Sequence, residues 1–278
     1  MRSTLHKCSE DRIFGMAAEV GFWQLVSLPS LLLAVFGAVG YFGGVIGAAG
    51  IARIRADVLR LAGDVLSAST INSDVAPIVN DILSKGHAGL LSVSFVISLW
   101  SGSSAMADYV NTITVAYGMR GVRSAVRTRV FALGLYVAAV VAGIVLLPAT
   151  VLGPDQIIDL APRSAVPAVS RVVHDAYWPA LVLVCVAAVT TLYVVSLPRR
   201  VSWRQQLPGG VVAVAIWLAG SALLRFYVAE KGRSDAFYGA LAAPLAALLF
   251  FYIMALAIIF GGEVNAARRR NQEAAAEP

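Results

Sequence analysis

Long apolar runs alternate along this chain with short polar connections that carry arginine. Six runs are long: 20–46, 88–112, 130–152, 176–197, 209–229 and 237–262. At 1.5 Å rise per residue, about 20 helical residues cross the ~30 Å hydrocarbon core of a bilayer. The runs are continuous in Ala, Leu and Val and lack the period-2 alternation of a barrel strand, and a backbone in lipid must satisfy its own N–H and C=O groups. The pattern predicts an all-α integral membrane protein: a six-helix bundle in a single membrane domain over 1–267, with a polar tail at 268–278.

The connections carry their own pattern. Between the first two spans, in 47–87, Ile51, Ile54, Val58, Leu61 and Val65 recur at spacings of three and four, opposite Arg53, Arg55, Asp57, Arg60 and Asp64. A second short helix is expected after Asn72 or Ser73, with Pro77 in its first turn and Val75, Ile78, Val79 and Ile82 on its apolar side. An amphipathic helical hairpin over the outer end of the bundle follows. The connection 153–175, with Pro154, Pro162 and Pro167, reads as irregular apart from a short helix near Val169–His174, and 271–278 reads as frayed. The short 230–236 link makes the fifth and sixth spans an antiparallel pair.

Composition agrees with a lipid solvent: 59% hydrophobic and 14% charged residues, with mean hydropathy +0.77. Basic residues set the orientation. Arg2, Lys7 and Arg12, then Arg120, Arg123, Arg127 and Arg129, then Arg199, Arg200 and Arg204, then Arg268, Arg269 and Arg270 give one side thirteen; the other side holds eight. By the positive-inside rule both termini are cytoplasmic. The net charge of +6 is explained by topology and anionic headgroups, since it is dispersed and no aromatic-studded basic groove accompanies it; a nucleic-acid partner is not expected. Cys8 and Cys185 sit at different depths, so no disulfide within the chain is expected.

Polar residues inside the spans supply the candidate chemistry. In the second span Ser94, Ser98, Ser101, Asp108 and Thr112 share one helical stripe, with Ser103, Ser104 and Asn111 at its edges. Such a stripe must face other helices or water, either as close packing or as the lining of a pathway. Depth places Asp108 near the inner edge of the hydrocarbon, level with Glu19 on the first span and Glu263 on the sixth. Arg120, Arg123 and Arg127 follow just inside, and Asn111 and Asn265 are the expected hydrogen-bonding partners. This level reads either as an ion-pair network that locks the bundle or as a polar vestibule for a charged solute or proton. Arg225, near the outer boundary, either snorkels outward past Tyr227 or turns inward to hold an anionic headgroup.

No phosphate loop, H-E-x-x-H zinc motif or G-x-S-x-G elbow occurs, and His6, His87 and His174 are scattered. Neither catalytic residues nor a metal or cofactor is expected. The blocks AAEVGFWQLVSLPSLLL (17–33), SLWSGSSAMADYVNTITVAYGMRGVRSAVRTR (98–129) and the P-G start and Y-G…G-x-E-x-N-A-A close within 207–267 resemble the YihY/BrkB family of bacterial inner-membrane proteins. Pro208, Gly209, Tyr238, Gly239, Gly262, Glu263 and Asn265 match its pattern, whereas Ser101–Ser104 is richer in serine. The resemblance implies a six-helix multi-pass protein of a group linked to virulence and, in one relative, to export of envelope lipid precursors. It also brings the label ribonuclease BN, to which the residues lend no metal ligands and no basic groove.

These readings give a transporter or flippase-like protein for an amphipathic envelope solute, with membrane lipids, including an anionic lipid or envelope precursor, as partners. In that expectation the second-span stripe lines the route, the three carboxylates bind or gate at the inner face, and Arg225 meets anionic groups near the outer face. The alternative is a scaffold in envelope assembly that transports nothing; a nuclease ranks third.

Overall fold

The computed structural model describes residues 13–41, 88–119, 121–159, 166–231 and 239–276, with scattered residues between 47 and 80. Six helices fill the continuous segments: α1 (Ile13–Tyr41), α2 (Ala88–Ala116), α3 (Ala125–Asp159), α4 (Val166–Ser196), α5 (Trp203–Lys231) and α6 (Gly239–Ala276). Among the described residues there is no strand. The protein is an all-helical membrane protein.

Five helices are apolar enough over their described residues to cross a membrane; α2 is not among them, although it equals α1 in length. Its serines and Asp108 dilute the apolar run. A polar helix is tolerated in lipid when other helices surround it, and α2 touches α1, α3, α4 and α6. Phe14 and Phe22 of α1, Val130 and Val141 of α3, and Leu223 and Phe226 of α5 remain exposed on the outside of the bundle, as lipid-facing positions should.

Among the described residues, the buried apolar clusters lie at one end. Ile13, Ala17 and Val20 of α1, Tyr109 of α2, and Ala255 and Ile259 of α6 form one buried cluster, and Ile113, Tyr193 and Leu197 form another beside it. The turn leaving α2 explains its sharp reversal: Gly118, at φ 71°, occupies a left-handed position, its N–H donates to the Val115 carbonyl, and the Met119 N–H donates to that of Thr114, both at 2.9 Å. Ser124 then caps α3, its Oγ accepting from the Arg127 N–H at 3.4 Å. We call this the basic end, because the α2–α3 turn, the α4–α5 link and the last turns of α6 bring their arginines here.

Several boundaries differ from those expected. The segment 153–175 is mostly helical: α3 continues through Pro154 to Asp159, and α4 starts at Val166 with Pro167 in its first turn, where a missing N–H costs nothing. The tail does not fray at Asn271; α6 runs to Ala276, supported by the Arg269–Glu273 pair one turn apart at 2.8 Å. The hairpin expected in 47–87 lies largely outside the described residues. Those described there, including Ala52, Arg53, Ala56, Arg60, Ala76 and Val79, are helical, with Arg53 and Arg60 exposed and Val79 buried.

Candidate functional site

Two polar groups emerge, and they divide the carboxylates expected to share one cluster. The first lies where α1, α2 and α3 meet. Ser94, Ser98, Ser101 and Thr112 are all buried, so the stripe faces neighbouring helices. Three of its hydroxyls have the following partners. Ser98 and Ser27 of α1 both hydrogen-bond the Tyr136 hydroxyl of α3, at 2.7 and 3.1 Å, while Ser101 donates to the Ile97 carbonyl at 2.7 Å and Thr112 to the Met16 sulfur at 3.5 Å. Gly102 admits the Tyr136 ring: a Cβ there would collide with ring carbons.

One turn further along α2, the Trp100 carbonyl accepts from Ser103 at 3.0 Å, Ser104 at 2.8 Å and the Arg129 guanidinium at 3.0 Å. The same guanidinium stacks on the exposed Trp100 ring, 4.5 Å from its centroid. Arg129 and Glu19 both act electrostatically on Asp108, with opposite sign. Asp108 is half-buried, and its Oδ2 has no hydrogen-bond partner among the described residues.

The second group sits at the basic end. Pro208 cannot donate a backbone hydrogen bond and disturbs the turn before it. Asn265 of α6 repairs this stretch: its Oδ1 accepts the Gly209 N–H at 2.8 Å, and its Nδ2 donates to the Gln206 carbonyl at 2.9 Å and to Gln206 Oε1 at 3.0 Å. The Tyr117 hydroxyl donates to the same Oε1 at 2.7 Å. Burial pushes the Tyr117 phenol up, against the opposing pull of that bond and of Arg269 and Arg270, so it stays a donor. Gly209 is required by space: a Cβ would strike the Asn265 amide and the Gly261 carbonyl. Glu263, 2% exposed, lies 4.0 Å from Arg270, which also donates to the Ala116 carbonyl at 3.0 Å. A cation at the last carbonyls of α2 complements its dipole.

The arginines differ from those anticipated. Arg129 and Arg270 attend the carboxylates. Arg123 instead donates to the Ser196 carbonyl at 3.0 Å and stacks on Phe131, Arg127 is exposed, and Arg120 lies outside the described residues. The Asn111 side chain is exposed, and its carbonyl accepts from Thr114, so it does not join Asn265. Arg225 is exposed on α5. Sequence reasoning missed Tyr136 and Gln206; a lone tyrosine in an Ala-Val-Leu run and a glutamine before Pro-Gly were the available signals.

The chain belongs to the family described as Virulence factor BrkB, whose model matches residues 4–278. It is 29% identical over 267 residues to a Bacillus subtilis (strain 168) protein that carries the name ribonuclease-like protein YfkH, covering 95% of this chain and 91% of that one. It is 24% identical over 265 residues to UPF0761 membrane protein Bxeno_A3061 of Paraburkholderia xenovorans (strain LB400), covering 94% of this chain but 58% of that longer protein. No solved structure matches significantly.

Proposed function

We propose that this BrkB-family chain moves an amphipathic, anionic lipid or envelope precursor across the bacterial cytoplasmic membrane, with its basic end and both termini on the cytoplasmic side. One observation carries the reading: α2, which touches four other helices, sets half-buried Asp108 where Glu19 and Arg129 both act on it. Charges in a membrane interior are costly and recur along solute and proton pathways. In the closed arrangement Tyr136 bolts α1 to α2, and passage requires those hydroxyl bonds to exchange for bonds to the solute. The unpartnered oxygen of Asp108 suits a coupling cation, and the arginines of the basic end suit the anionic group of the solute.

The test is translocation of a fluorescent anionic phospholipid between leaflets of vesicles holding the purified chain. Wild type is expected to exceed empty vesicles, with Asp108→Asn much slower. Equal rates in all three would remove the proposal.

The second reading is a scaffold that transports nothing. The back-bonding of Ser101, Ser103 and Ser104 to their own helix favours it, since serines so engaged need no solute. Full activity in an envelope-integrity assay after Ser101→Leu would support it over transport. A nuclease ranks third. Among the described residues no three His, Cys, Asp or Glu side chains converge to hold a metal, and cleavage of RNA that is lost with Glu263→Gln in a folded protein would revive it.

A further inference from the structure

Two cavities open at the basic end, of about 720 Å³ and 570 Å³, and they share Arg269 and Glu273 as a common wall. Arg199 and Arg270 complete the basic lining of the larger; Arg200, Arg204 and Arg268 complete that of the smaller. Six guanidinium groups from the α4–α5 link, the start of α5 and the end of α6 thus converge around the last turns of α6. Little opposes them. Glu273 is taken by Arg269 at 2.8 Å and Glu263 lies beside Arg270 at 4.0 Å, whereas Arg199, Arg200, Arg204 and Arg268 are exposed and have no carboxylate partner among the described residues.

The surroundings identify the depth. Trp203, adjacent to Arg204, is 41% exposed, and its indole N–H donates to Thr191 at 3.3 Å, the posture of an aromatic ring at a membrane interface. Met119 and Val122 line the larger cavity, and Val122 and Val126 stand exposed at 61% and 73%. A site for a free inorganic anion has no use for such an apolar rim. A phosphodiester that carries acyl chains does.

We propose that the two cavities form one binding site for the phosphate-bearing headgroups of anionic phospholipids, with the arginines on the phosphate and Met119 and Val122 beside the acyl chains. Guanidinium matches phosphate oxygens in pairs. The site requires no transport activity, so it stands or falls separately from translocation.

Native mass spectrometry of the full chain, titrated with phosphatidylglycerol, tests this. Parallel arms use phosphatidylcholine of the same chain length, inorganic phosphate and a short RNA oligonucleotide. Phosphatidylglycerol is expected to bind well above phosphatidylcholine. Each basic residue near a lipid surface is worth about fivefold, so Arg199→Gln/Arg204→Gln/Arg268→Gln should weaken binding about 100-fold; the matching triple lysine variant should recover most of it. Arg53→Gln/Arg55→Gln, also exposed but outside the cavities, should change nothing. Should the triple glutamine variant misfold, the single variants Arg199→Gln and Arg268→Gln each read the expected fivefold. Undiminished lipid binding in the glutamine variants, or binding of inorganic phosphate or RNA while phosphatidylglycerol fails, would overturn the assignment.

Discussion

Replacing Asn265 by alanine isolates the joint between α5 and α6. The side chain makes three buried hydrogen bonds, and their loss falls unequally. Gln206 Oε1 keeps the Tyr117 hydroxyl at 2.7 Å, and acceptors tolerate a missing partner better than donors. The Gly209 N–H is a buried donor whose acceptor is removed; stranding it costs about 1–3 kcal/mol. The space left by the amide adds a smaller packing loss, so Asn265→Ala should destabilise by about 2–3 kcal/mol. For a chain of this size that corresponds to a fall in Tm of about 4–12 °C, taking 2–4 °C per kcal/mol as the scale. Asn265→Asp should be at least as damaging, because a carboxylate still accepts from Gly209 but faces two Gln206 oxygens without a hydrogen to offer. The assay is thermal unfolding in detergent, followed by cysteine-independent fluorescence so that Cys185 does not enter the signal. An unchanged Tm for Asn265→Ala, or an Asp variant more stable than the Ala variant, would refute the bonding scheme.

Gly102→Ala should push the Tyr136 ring out of its seat and cost about 1–3 kcal/mol, and the loss should shrink in a Tyr136→Ala background, as a double-mutant cycle of Tm values would reveal. Arg270→Gln weakens the neutralisation of buried Glu263 and removes a donor to the Ala116 carbonyl; because Arg270 is partly exposed, the expected cost is only about 1–2 kcal/mol, with partial recovery in Glu263→Gln/Arg270→Gln measured by the same unfolding assay. Asp108→Asn should leave Tm equal or higher, since it relieves like charge with Glu19, while it slows translocation; a lowered Tm would make Asp108 a structural residue.

The bundle was legible because lipid imposes a single backbone solution, so continuous apolar runs had to be helices. Its ends were harder to read. Pro154 and Pro167 suggested a loop, yet proline is accommodated within membrane helices and at a first helical turn. The Ala-rich close of α6 looked frayed by composition, although alanine and an i,i+4 Arg–Glu pair favour helix. Within the site, the spacing of Ser94, Ser98 and Ser101 foretold an inward stripe, because periodicity fixes which positions share a face. The choice of arginine was not legible. Whether Arg123, Arg127 or Arg129 reaches the α2 stripe depends on the rotation that the Gly118 turn and Ser124 cap impart to α3, a tertiary quantity that local spacing does not contain. Asn265 was visible as a pattern residue, but its partner Gln206 follows only from the contact of Gly209 with Gly261.

Transport through the α1–α2–α3 seam is tested most directly by tying that seam shut. Ser27 and Ser98 share the Tyr136 hydroxyl, so a Ser27→Cys/Ser98→Cys pair, in a background with Cys8 and Cys185 replaced, can be joined by a short bis-methanethiosulfonate crosslinker, which forms a reducible disulfide with each thiol and releases sulfinate. The account predicts that crosslinked protein in vesicles loses lipid translocation and regains it on reduction. Translocation by fully crosslinked protein at the uncrosslinked rate would contradict it.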